Sequence, residues 1–183
     1  MEALSNEAIS IPDIHFNSKG DLIVTASQTS SQHDFDFFVG KWKLHNKKLK
    51  CRLENCNEWI EFESSQEMRK ILKGIGNIDN YLATFDGKPF EGMSLRLFNP
   101  ETRLWSIYWA DSNMRKLDPP VLGSFENNIG HFITKDIFNE KNILVLFRWD
   151  ARDINAPVWS QAFSEDNGKS WEWNWYMYFS KVE

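Results

Sequence analysis

The feature that most constrains this chain is a rhythm. From residue 39 onward, short stretches of alternating apolar and polar residues recur every roughly 8–14 residues, with turn chemistry between them. Asp86-Gly87, Asn99-Pro100-Glu101-Thr102, Asn127-Asn128 and Asn139-Glu140 each separate two such stretches. Asp-Gly and Asn-rich turns tolerate the positive φ that tight hairpins demand. Strands are expected over 39–49, 58–72, 78–85, 93–98, 104–110, 121–125, 130–138, 142–149, 158–164 and 171–181. Met68, Ile71 and Leu72 also fit a helical spacing over 64–73, the one competing reading. Aromatic residues make up 15% of the chain, which favours strands. Consecutive hairpins leave two unpaired sheet edges, and closure removes both. The expected fold is therefore all-β: an up-and-down antiparallel β-barrel of about ten strands.

The barrel's anchor is expected at Asp34-Phe35-Asp36-Phe37-Phe38-Val39-Gly40-Lys41-Trp42. Gly40 lets the chain swing into the first strand. Trp42 then points inward and plugs one end. Asp34 and Asp36 cap the entry turn. The 183 residues fit one domain, divided into an N-terminal extension, 1–32, and a barrel domain, 33–183. Within the polar extension, Leu22 to Thr25 reads as a short strand that pairs with the barrel edge or covers a mouth.

Charge and cysteine content narrow the function classes. The net charge is −5, with no basic-aromatic stripe, so neither nucleic acid nor an anionic membrane is an expected partner. The lysines between Lys41 and Lys50 read as a solvated strand face. No apolar run approaches a membrane span, and the acidic N-terminus lacks signal-peptide character. The expected setting is cytoplasmic. Cys51 and Cys56 stand without a second pair or a neighbouring histidine, so they read as free thiols and no metal site is expected.

Three motifs are weighed. Gly74-Ile75-Gly76 lacks the spacing of a phosphate loop and reads as a turn. Ser164 to Trp171 fits S-x-D-x-G-x-x-W, the Asp box that sialidases repeat blade by blade; a single copy reads as a hairpin scaffold. Trp171, Trp173 and Trp175 alternate, and period two places them on one face. That face is core, a pocket wall or a homodimer surface. Arg96 and Arg148 each interrupt an apolar strand. An inward arginine suits a ligand carboxylate, because its planar fork binds two oxygens. Arg96 with Tyr108 forms the expected polar hook, and Arg148, Trp109, Gln161 and Glu67 complete the candidate ligand-binding set. No cofactor is expected; haem on His131, at a strand start, is the alternative.

Gly40-Lys41-Trp42 at the head of a strand meander resembles the calycin group, which includes lipocalins and fatty-acid-binding proteins. The order of His33–Trp42, Asn57–Phe62 and Trp105–Ala110 is similar to uncharacterised bacterial lipocalin-like proteins, over residues 33 to 181. The resemblance implies a barrel whose first tryptophan packs under a basic residue of the last strand, here Lys181. The expected function is binding of a small, mainly apolar molecule with a polar or acidic end in the barrel interior. A metal-free cyclase or isomerase using the same cavity and a homodimeric interaction protein are the alternatives.

Overall fold

The computed structural model describes residues 11–182. Ten strands close into one antiparallel barrel: β3 (Gly40–Leu49), β4 (Trp59–Ile71), β5 (Gly76–Phe85), β6 (Lys88–Asn99), β7 (Leu104–Asp111), β8 (Val121–Glu126), β9 (Ile129–Phe138), β10 (Lys141–Asp150), β11 (Val158–Ser164) and β12 (Glu172–Lys181). Neighbours in sequence are neighbours in space, and β12 pairs with β3 to close the ring. The helical spacing over 64–73 loses to the strand. β4 runs to Ile71, and only Leu72–Gly74 turns as a short 3-10 segment. Asn127 and Asn128 take positive φ at their turn, as do Asp86 and Gly87.

The extension behaves differently from expectation. β1 (His15–Phe16) and β2 (Leu22–Ile23) pair with each other. Phe16 and Leu22, with Ile11, Ile14 and Val24, pack on Ile133, Leu144, Leu146 and Ala162, on the outer face of the barrel wall. This segment neither extends the barrel sheet nor covers a mouth. Four apolar residues on the outside of three adjacent strands need a cover, and the extension supplies it.

A 3-10 turn, Asp36–Phe38, closes one end. Phe35 and Phe38 enter the lumen and meet Trp105, Trp149 and Phe179. The Trp42 indole N–H donates to the Phe38 carbonyl at 2.8 Å. Gly40 has φ +116, a conformation that suits glycine. Lys181 pairs in register with Trp42, and its ammonium lies 5.5 Å from the indole ring. Asp34 binds Ser30, the Ser31 backbone N–H and the Trp105 indole, while Asp36 holds Lys70.

Candidate functional site

Strand parity decides what reaches the lumen, and Trp42 sets it. Successive strand residues face opposite sides, so Trp42, Leu44, Asn46 and Lys48 all point inward from β3. The first three are buried to about 1% exposure or less. Cross-strand partners share a face, which carries the assignment around the barrel. Asn46 lies opposite Phe62, and Ser64 opposite Ala83. Tyr81 lies opposite Gly92, and Ser94 opposite Trp109.

The six sequence candidates separate on this test. Arg96 points inward, at the closed end, where it is already engaged. Its guanidinium pairs with Asp79 and donates to Asn77 at 3.1 Å, and it stacks near Phe35 and Phe38. Tyr108 faces outward. β6 and β7 pair Arg96 with Ile107 and Leu95 with Tyr108, one residue off the parity that the hook required. Arg148 is also outward, opposite His131 and Ser160, and holds Asp150 at 3.0 Å. Glu67 is outward and more than half exposed, opposite Lys41. His131 lies on the same outer face as Arg148, so it does not reach the lumen. Trp109 and Gln161 do line it.

The open end holds what the sequence reading missed. Lys48, Trp175 and Gln161 form one cross-strand row over β3, β12 and β11. The Lys48 ammonium sits 4.0 Å from the Trp175 ring. No carboxylate lies within ion-pair distance of it among the described residues. Burial, aided by the charge of Arg52, lowers its pKa to about 8. The alternation from Trp42 inward reaches Lys48 in three steps, and that was the available signal. The density of lysines around it masked the one that faces in.

A polar network backs this row. The Asn46 carboxamide oxygen accepts from the Tyr81 hydroxyl and the Trp175 indole, each at 3.2 Å. Burial pushes the Tyr81 phenol up to about 12, so it stays a donor. Gln161 donates to the Asn174 oxygen at 2.9 Å. The Asn174 amide nitrogen is buried without a partner. Trp109 reaches over β6 to Tyr81, with ring centroids 6.1 Å apart. Its indole lies over Gly92, where even a Cβ would come within 2.2 Å of it.

Asn174 also explains the tryptophan series. A bulge falls between Gln161 and Ala162, so Gln161 pairs with Trp175 while Ala162 pairs with Trp173. The extra residue reverses the alternation. Trp175, Met177 and Phe179 face in, whereas Trp171 and Trp173 face out and pack with the extension. The single tryptophan face expected from the alternation, as core, pocket wall or homodimer surface, is thereby divided between the lumen and the extension's seat.

The β3–β4 connection, residues 50–58, roofs this end. Leu53 crosses β12 to pack on Ile143, Val145 and Phe163. Its backbone N–H meets both Glu172 carboxylate oxygens at 2.9 Å. Arg52 lies over the Phe138 and Phe163 rings, and burial lowers its pKa. Leu53 and Asn55 take positive φ. Beside this roof a cleft of about 450 Å³ opens between Leu53, Asn55 and the β11–β12 turn, with Phe163 and Glu172 in its wall. That turn is built as the Asp box predicts. Asp166 accepts from Ser164 and twice from Ser170, which holds its carboxyl down at about 2, and the Trp171 indole donates to Gly168. Both cysteines, in the roof, are unpaired.

No group of three or more His, Cys, Asp or Glu side chains suited to a metal occurs among the described residues. Likewise, no helix among them is long and apolar enough to cross a membrane. Neither a protein-family model nor a curated protein matches the sequence.

Proposed function

We propose that the barrel binds one small, mainly apolar molecule with an acidic end. The body lies against Trp109, Phe90 and Phe147, and the acidic end reaches Lys48. The observation that carries this reading is the Lys48 ammonium, held inside an aromatic wall with no carboxylate to neutralise it. A partly desolvated cation without a counter-ion is costly, and an anionic ligand removes the cost. The spare Asn174 amide supplies a hydrogen-bond donor on the adjoining strand position. Entry requires Leu53 and Arg52 to swing aside. The Gly40, Trp42 and Lys181 arrangement supports kinship with the calycin barrels, whose interiors hold such ligands. Unpaired Cys51 and Cys56 support a reducing, cytoplasmic setting.

Dodecanoate is the probe, with binding read by tryptophan fluorescence and calorimetry. Lys48→Met is expected to weaken it at least tenfold, about 1.4 kcal/mol. Raising the pH from 7 to 9 discharges an amine of pKa about 8, so dodecanoate affinity falls while that of uncharged decanol stays constant. Equal dodecanoate affinity in Lys48→Met, or no binding up to its solubility limit, overturns the reading.

A further inference from the structure

Lysines elsewhere in the chain are placed to stay charged. Lys50 pairs with Glu58, Lys141 with Glu165 and Lys70 with Asp36. The hydrogen bonds of Lys50 and Lys141 to their carboxylates raise their pKa values. Lys48 has the reverse surroundings: an indole face at 4.0 Å, a lumen wall of aromatic side chains, and the like charge of the Arg52 guanidinium acting on it. Desolvation beside a second cation is the environment that frees an amine lone pair and makes lysine a nucleophile toward carbonyl carbon.

We infer that Lys48 captures aldehydes and ketones lodged in the lumen, forming an imine through its side-chain nitrogen. This rests on the lumen admitting a ligand, and it extends the ligand class from acids to carbonyl compounds. The nitrogen lone pair bonds to the carbonyl carbon as the C=O π pair moves to oxygen. Water carries a proton from nitrogen to that oxygen, giving a carbinolamine. The carbinolamine then expels one water molecule as C=N forms. No oxidant or reductant enters, and hydrolysis reverses the step.

The test treats the full-length protein with 2-naphthaldehyde and sodium cyanoborohydride at pH 7.5, followed by intact mass and peptide mapping. At that pH a lysine of pKa about 8 has on the order of a hundredfold more free amine than an ordinary lysine. Lys48 is expected to be labelled at least tenfold faster than any other lysine. Dodecanoate should protect it, and Lys48→Arg should lose the fast label. Labelling spread over the exposed lysines, with Lys48 no faster, overturns the inference. If dodecanoate still binds in that case, only the capture chemistry falls. If dodecanoate fails to bind as well, the binding reading falls with it.

Discussion

The two ends of this barrel are built from the same materials and solve opposite problems. At the closed end, Phe35, Phe38, Trp42, Trp105 and Trp149 are each exposed by 2% or less, and the charged residues there cancel internally. Arg96 has Asp79, and Asp79 also accepts from Gln66. At the open end, Phe62, Phe90, Trp109, Phe147 and Trp175 are only partly buried, and the cation Lys48 has an aromatic ring in place of a counter-ion. The difference teaches how to read a buried charge. A buried arginine with its carboxylate in contact is a structural strut, whereas a half-buried lysine that faces an aromatic ring carries a charge that no contact cancels.

The largest effect should come from breaking the strut. Asp79→Ala strips Arg96 of its partner, and a buried charge left uncompensated costs about 3–5 kcal/mol. Urea unfolding should show the loss, and the double variant Asp79→Leu with Arg96→Met should recover most of it. A cost below about 1 kcal/mol for Asp79→Ala would mean that water already reaches the closed end, and the contrast between the ends would collapse.

The same substitution made at both ends sharpens the contrast. Phe38→Ala empties a fully packed site, with an expected cost of about 3–5 kcal/mol. Phe90→Ala removes a ring that already meets solvent, with an expected cost of about 1–2 kcal/mol. Dodecanoate binding should respond in the opposite order, weakened by Phe90→Ala and unchanged by Phe38→Ala at temperatures where that variant stays folded. Equal stability costs would show that the open end is packed as core.

The next effect concerns the roof. Glu172→Gln removes the charge from the acceptor of the Leu53 N–H, a hydrogen bond worth about 1 kcal/mol. Hydrogen exchange at the Leu53 amide should quicken about fivefold, and dodecanoate should associate faster, with global stability little changed. Unchanged exchange would mean that apolar packing of Leu53 alone holds the roof shut.

The closed end was legible in the sequence, and the open end was not. Gly40, Trp42 and the ten turn-bounded stretches follow from local rules of period and turn chemistry, so the fold could be read directly. The candidate site depended on facts with no local signature. The Arg96–Tyr108 hook failed because the Asn99–Leu104 pairing sets the parity of β7, and a one-residue change in register reverses every side chain. Trp173 and Trp175 fell on opposite faces because of one extra residue, Asn174, which no composition rule announces. Arg148 lies between the inward Phe147 and Trp149 in sequence, yet it faces the outer wall, where it holds Asp150. Gln161, Trp109 and Arg96 point into the lumen as expected, Arg96 at the closed end.

The smallest expected effect lies on the outer wall between the two ends, where β3 presents bases and β4 presents acids. His45 lies 2.7 Å from Glu63 and 3.2 Å from Glu61. The hydrogen bond that His45 donates to Glu63 is the main cause that raises its pKa above the ordinary 6.5. A raised histidine pKa stabilises the fold fully below its unfolded value and loses that contribution as pH climbs through the folded value. Wild type should therefore lose a few tenths of a kcal/mol relative to His45→Gln as pH rises from about 6 to 8, a size typical of exposed ion pairs. Proton NMR titration should place His45 above 6.5 at low salt and closer to it in about 0.5 M sodium chloride, because screening reaches this exposed site. The same salt should leave the cost of Asp79→Ala almost unchanged, since the strut lies where counter-ions do not penetrate. A salt effect of equal size at both places would mean that Arg96 and Asp79 are as wet as His45, and the closed end would then be no more sealed than the outer wall.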